Sequence, residues 1–367
     1  MKNAFILLAA IFISSASISQ SNNFFITGQV MNKETNLPLQ GASVFAENTT
    51  IGTTTNSEGK FSLHLPAGGY ELVVTFTGFG TESKRITSSD ADNRNLFFEL
   101  KQKEKEMEAV AIISSSEVKD GWQKYGNFFI DHFIGKTQNS ALCILKNPEI
   151  LKFYFSKKRN RLKVMAAEPL QIENKALGYN IKYALDSFTH SYETQVSLYT
   201  GYPLFEEMTS TDNSVVNNWS LERQKAYTGS ILHFMRSIYN KQIHQEGFEI
   251  QFLVSVNGKD SALKLKNIYG ALNYQKDDST QTVEVRPNQN SVGVIYTKEK
   301  PSETYFKENE LEPKEFQFSI LNFLPGESII IEQNGYYFEQ NDISISEYWI
   351  WEKVADQLPY NYVPVTN

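Results

Sequence analysis

One cysteine, Cys143, is all the thiol that this chain of 367 residues carries. A single cysteine excludes an internal disulfide and every zinc site built on several thiolates. Its neighbours Ala141, Leu142, Ile144 and Leu145 are aliphatic, so the residue reads as a buried, inert thiol rather than a thiolate with His132 as its base. Histidine is also scarce, five in all. No His-x-x-x-His or His-Glu-x-x-His spacing puts two imidazoles on one helical face. His132, His190, His233 and His244 are scattered, and the last two lie about 16 Å apart along one expected helix, so they read as surface residues. A phosphate loop and a dinucleotide-binding turn are both missing, and Thr228-Gly229-Ser230 lacks the second glycine of a nucleophile elbow. The doublets Glu206-Glu207 and Asp277-Asp278 are of the kind any acidic chain contains, and they read as solvated faces. No catalytic residue, cofactor or metal is therefore expected, and no binding residue is assigned.

Long apolar runs are missing too. Ala4 to Ile13 is unbroken, but ten residues fall short of the roughly 20 needed to cross a bilayer. With Lys2 before it and Ser14, Ser15, Ala16 and Ser17 after it, residues 1–19 read as a secretory signal peptide cleaved after Ser19. No later stretch approaches spanning length, and no cysteine near the cut could accept a lipid. With Lys2 removed, 34 cations face 42 anions, a balance that works against nucleic acid and anionic membrane surfaces as partners. The expectation is an exported protein without a membrane span after cleavage, in the periplasm, associated with the outer membrane, or extracellular.

What the chain does have is apolar and aromatic content, 41% and 13%, enough to bury the cores of two domains. From residue 24 to 100 short alternating strands are separated by turn residues. Phe61, Leu63 and Leu65 fall on one face with His64 opposite, then Tyr70, Leu72, Val74 and Phe76 repeat the pattern after the tight link Pro66 to Gly69. This pair reads as a hairpin. Asn56, Ser57 and Glu58 read as an Asx-type turn rather than a calcium or sugar site. The ordered set Gly28-x-Val30, Pro38-Leu39-x-Gly41-Ala42-x-Val44, Gly52-Thr53-x-Thr55-Asn56-x-x-Gly59-x-Phe61, Leu65-Pro66-x-Gly68-x-Tyr70 and Gly78-Phe79 closely resembles the carboxypeptidase regulatory-like domain. The resemblance implies a transthyretin-like β-sandwich of about seven strands, a non-catalytic accessory fold that contributes no active site.

Residues 101–120 read as an edge strand or linker, charged from Lys101 to Glu108 and apolar from Ala109 to Ile113. Met107 to Ile113 is similar to the stretch joining such a domain to the plug of TonB-dependent outer-membrane receptors. A plug and barrel of 22 strands would need far more chain than follows Ser116, so no receptor is expected. Residues 121–367 read as one α+β domain, predominantly β, with a helix at Gly121 to Gly135 and a hairpin from Leu151 to Ala166 tipped by Lys157 to Asn160. A long helix is expected near 220–244, then strands from Phe248 to Ile331, so the whole chain is mainly β. Nineteen Tyr and 25 Phe serve strand packing first, and sugar stacking where a concave pocket collects them. The leading expectation is a non-enzymatic envelope protein whose sandwich is a spacer or docking unit and whose C-terminal domain binds a protein or glycan. The alternative is a hydrolase of envelope polysaccharide or peptide with a carboxylate pair in the second domain; a third is an assembly factor for an outer-membrane machine.

Overall fold

The computed structural model describes residues 23–90, 95–102, 117–256 and 258–365. The signal peptide expected at 1–19 and linker residues 103–116 lie outside the described residues. Seven strands open the fold: β1 Phe24–Asn32, β2 Ser43–Ala46, β3 Gly52–Thr54, β4 Lys60–Leu65, β5 Gly69–Thr75, β6 Glu82–Thr87 and β7 Leu96–Leu100. They form two sheets, β4-β1-β7 and β3-β2-β5-β6, which enclose Ile26, Val30, Phe61, Leu63, Tyr70, Leu72 and Val74. Gly28 is required here: a side chain would strike the Phe61 ring and the Leu96 carbonyl at about 2.5 Å. Asn56 Oδ1 accepts from the amides of Glu58 and Lys60, both at 2.9 Å, the Asx-type turn expected.

The Phe61 to Phe76 hairpin is corrected. β4 pairs with β1, whereas β5 pairs with β2 and β6. The link at Pro66 carries the chain from one sheet to the other, so the apolar faces of β4 and β5 meet across the core. Alternation fixes which side chains point inward but not which strand lies beside them.

The second group of strands is β8 Cys143–Leu145, β9 Leu151–Ser156, β10 Arg161–Ala166, β11 Leu170–Asn174, β12 Tyr179–Ser191 and β13 Val196–Glu207. β9 and β10 form the expected hairpin, from Leu151↔Ala166 to Ser156↔Arg161. Long β12 pairs along one side with β13, and along the other with β11 and then β10. Helix α1, Gly121–Phe133, lays Phe129 and Phe133 against Phe153, Tyr183 and Phe188.

The long helix expected near 220–244 is two helices, α2 Asn213–Tyr227 and α3 Ile231–Tyr239. Asp212 caps α2, accepting from the Ser214 amide at 2.8 Å. α2 is largely polar, burying only Ala226 and Tyr227, which is why the apolar period does not reveal its start. The break is at Gly229, whose φ of +82° is open to glycine. Ser230 then caps α3 by accepting from the His233 amide at 3.2 Å.

The remaining strands are β14 Phe248–Val256, β15 Lys259–Lys264, β16 Gln275–Asp277, β17 Thr282–Val285, β18 Ser291–Tyr296, β19 Gln317–Phe323, β20 Ile329–Ile331, β21 Tyr337–Phe338 and β22 Ile343–Glu347. They make a sheet β15-β14-β18-β19-β22 and a sheet β16-β17-β20-β21. With α3 they enclose a core of their own, including Phe234, Met235, Phe248, Val283, Val294, Ile331 and Trp349. The described chain beyond residue 121 thus buries two large apolar clusters and a smaller one of Tyr305, Phe306 and Tyr348, and Val354, Ala355 and Leu358 return to the first of them. No helix among the described residues is long and apolar enough to cross a membrane.

The N-terminal sandwich is docked rather than tethered. Val73, which alternation turns away from the sandwich core, packs with Phe45 on Leu204. The turn between β2 and β3 enters the body. The Asn48 amide donates to Pro203 O at 2.7 Å, the Phe205 amide donates to Thr49 O at 2.9 Å, and the Tyr360 amide donates to Asn48 O at 2.6 Å.

Candidate functional site

The deepest chemistry lies along the seam between the sandwich turn, β12–β13, α2 and the C-terminal segment. One part is an open groove of about 520 Å³, lined among others by Thr50, Tyr179, Glu207, Ser210, Trp219, Arg223, Asn361 and Tyr362. Gly178, at φ +68°, leaves room for the Trp219 indole to lie on its backbone; a side chain there would meet the ring at 2.3 Å. Trp219 Nε1 donates to Lys175 O at 3.0 Å, which fixes the ring while leaving it half-buried on the groove wall. Arg223 is clamped from three directions. Its Nε donates to Leu177 O at 2.7 Å, Nη2 donates to Gly178 O at 3.1 Å, and Nη1 pairs with Glu207 at 3.3 Å. Its guanidinium sits 3.9 Å over the Tyr179 ring. Thr50 and Asn361 close one end by a reciprocal pair of hydrogen bonds, the Thr50 amide to Oδ1 at 3.0 Å and Nδ2 to Oγ1 at 2.6 Å. The groove is therefore built before any ligand arrives.

Beside it is a cavity of about 290 Å³, whose lining includes the aromatic Tyr183, Tyr199, Tyr337, Trp349 and Tyr360 and the polar Asn48, Glu352, Lys353 and Asp356. Asp356 accepts from Thr137 Oγ1 and from Asn139 Nδ2 at 2.9 Å; burial still pushes it up to about 6. Burial, with Asp356 and Glu299 nearby, drives Glu352 well above the usual carboxylate range.

Two buried carboxylates line the docking face itself. Glu47 is raised to about 8 by burial and by Glu71 and Asp186. Glu332, raised to about 7 by burial against the opposing pull of Arg85, lies against Gly69 with Oε1 unpartnered. Close by, the Arg85 guanidinium stands 3.0 Å over Phe338, and Asn334 Nδ2 donates to Gly69 O at 3.2 Å.

The residues singled out from the sequence fare differently. Cys143 is half-buried, its thiol pushed up to about 12 by burial and directed at Asn139 O; it is no thiolate. His132 and His190, far apart in sequence, stand 5.5 Å apart in an aromatic cluster with Phe128 and Tyr192. The surface reading of His233 is corrected: it is 6% exposed, Nδ1 accepts from the Gly229 amide at 3.1 Å, and Nε2 faces Glu246 at 3.0 Å. Capping the break before α3 draws it inward, whereas His244 is exposed. Glu206 pairs with Lys182 and Glu207 with Arg223. Asp277 caps its own turn through the Ser279 amide at 2.8 Å. Among the described residues no group of three or more His, Cys, Asp or Glu side chains could hold a metal ion.

A TonB-dependent receptor, P39, from Formosa agariphila is 29% identical to this chain over 117 residues, which cover 32% of the chain and 11% of the receptor. Among solved structures, a DUF3823 family protein from Bacteroides ovatus matches at 13% identity over 51% of this chain and 81% of its own, with a TM-score of 0.17. Catechol 1,2-dioxygenase from Acinetobacter matches at 11% identity over 24% of this chain and 54% of its own, with a TM-score of 0.18. Scores that low describe no shared overall fold. Residues 26–112 match the family model of the CarboxypepD_reg-like domain, and it is this domain that the N-terminal strands of the chain build.

Proposed function

We propose that the chain is an exported, non-enzymatic envelope protein that holds a glycan in the Trp219 groove, with the sandwich as its docking unit. The observation that carries the reading is the indole of Trp219 laid flat on Gly178 beside a clamped Arg223. An aromatic face of this kind takes the apolar side of a pyranose, and the polar rim of Thr50, Ser210, Glu207 and Asn361 supplies hydrogen bonds to its hydroxyls. The CarboxypepD_reg-like match and the receptor relative support the envelope setting.

A glycan array followed by calorimetric titration of the best oligosaccharide tests the proposal. Trp219→Ala is expected to weaken binding about tenfold, or about 1.4 kcal/mol, while lowering stability by no more than about 1 kcal/mol through the lost Lys175 hydrogen bond, because the ring is half-buried at the surface. An array with no hits, or turnover on a panel of polysaccharide and peptide substrates, would sink it. The hydrolase alternative has less support. Glu352 and Asp356 line one cavity, but they issue from a single short stretch, and Asp356 is already held by Thr137 and Asn139.

A further inference from the structure

The cavity beside the groove is not needed for glycan binding, and its lining carries two carboxyl groups, Glu352 and Asp356, against one cation, Lys353. Glu352 keeps free surface although it is withdrawn from bulk water, and it lines the cavity. Among the described residues it has no cation as a partner; its charged neighbours are Asp356 and Glu299. Lys353, next in the chain, donates instead to Ile350 O at 3.0 Å. Asn48 also lines the cavity, is 4% exposed, and has Oδ1 without a hydrogen-bond partner. A buried acceptor left unpaired costs about 1–3 kcal/mol, so the site gains from an occupant that donates. Tyr337 and Trp349 also line the cavity, and aromatic ring faces attract cations.

We propose that this cavity binds a small organic cation, a protonated alkylamine whose ammonium is taken by Glu352 and Asn48 Oδ1 and whose stem packs on the aromatic wall. A bound ammonium favours the ionised form of Glu352 that burial otherwise disfavours, whereas a neutral or anionic molecule gains no such ion pair. A bare metal ion would lack ligands, since no cluster of three donors is present among the described residues. The volume of about 290 Å³ lies at the foot of the roughly 300–1,000 Å³ range of drug-sized ligands, so the occupant is smaller than these.

The test is calorimetric titration of the full chain with 1,5-diaminopentane at pH 7, with 1-pentanol as the neutral control. The expected result is saturable binding of the diamine below about 1 mM, or about −4 kcal/mol, and none of the alcohol. Glu352→Gln should weaken the diamine at least tenfold, whereas Trp219→Ala should leave it unchanged, which separates this site from the groove. No heat with the diamine, or equal binding of the alcohol, overturns the proposal. So does undiminished affinity in a folded Glu352→Gln variant. If that variant fails to fold, the contrast between diamine and alcohol in the unaltered chain decides.

Discussion

Gly229→Ala is expected to destabilise the chain by about 3 kcal/mol, the sum of two costs. A non-glycine residue held at φ +82° costs about 1–3 kcal/mol. The new methyl would lie 2.6 Å from Gln317 Oε1 and 2.8 Å from the Tyr296 ring, both buried, and overpacking of that kind adds about 1–3 kcal/mol. Any shift of the loop also disturbs Trp349, whose indole donates to Gly229 O at 2.8 Å. Urea denaturation of the variant beside the parent measures the loss. A change under about 0.5 kcal/mol, the scale of an ordinary surface substitution, would mean that the break between α2 and α3 is not held as described.

The second large effect is on pH. Glu47 and Glu332 have folded values near 8 and 7 against an ordinary 4.5, so the folded state holds their protons more tightly than the unfolded chain does. The stability they contribute is complete below about 4.5 and is lost progressively as pH rises from there through about 7 and 8, with about 3 kcal/mol of the pair's loss falling above pH 6.5. Glu299 and Glu352 act in the same direction. Half-buried His132 and buried His190 and His233, lowered chiefly by desolvation, act in the opposite direction, but only below their ordinary 6.5. Thermal melts should therefore show stability falling between pH 6.5 and 9. Glu47→Gln and Glu332→Gln should flatten that slope. A melting temperature that climbs across this interval contradicts the burial assigned to these carboxylates.

Much of the sandwich was legible, because strand alternation and positional glycines are local signals. Gly28 must be small to admit Phe61, and that need is visible as a motif. Pairing was not local: the residues of β4 and β5 alternate alike whether the strands lie side by side or face each other. The helix near 220–244 was misplaced at both ends. Ile231 to Tyr239 carries the apolar period, whereas α2 is polar and stands on its caps and on Arg223 and Trp219 contacts that periodicity does not register. His233 looked exposed because its partners, the Gly229 amide and Glu246, are met only once the chain turns at Gly229. The groove and the cavity were illegible for the same reason. Thr50, Tyr179, Trp219 and Asn361 come from four separate stretches, and only tertiary packing brings them together. The aromatic count hinted that a concave Tyr- and Trp-lined pocket could form, but not where.

The turn carrying Asn48 and Thr49 also acts as a lid on a hazard. Pro203 O and the Phe205 amide sit on the outer margin of β13, and they are satisfied only because that turn lies alongside. Severed from its first hundred residues, the remainder would leave these two main-chain groups unpaired next to the apolar Leu204, an invitation to self-association. The amino-terminal module therefore doubles as an intramolecular guard, and expressing the two parts separately should yield a sticky body that regains solubility when the missing half is supplied in trans.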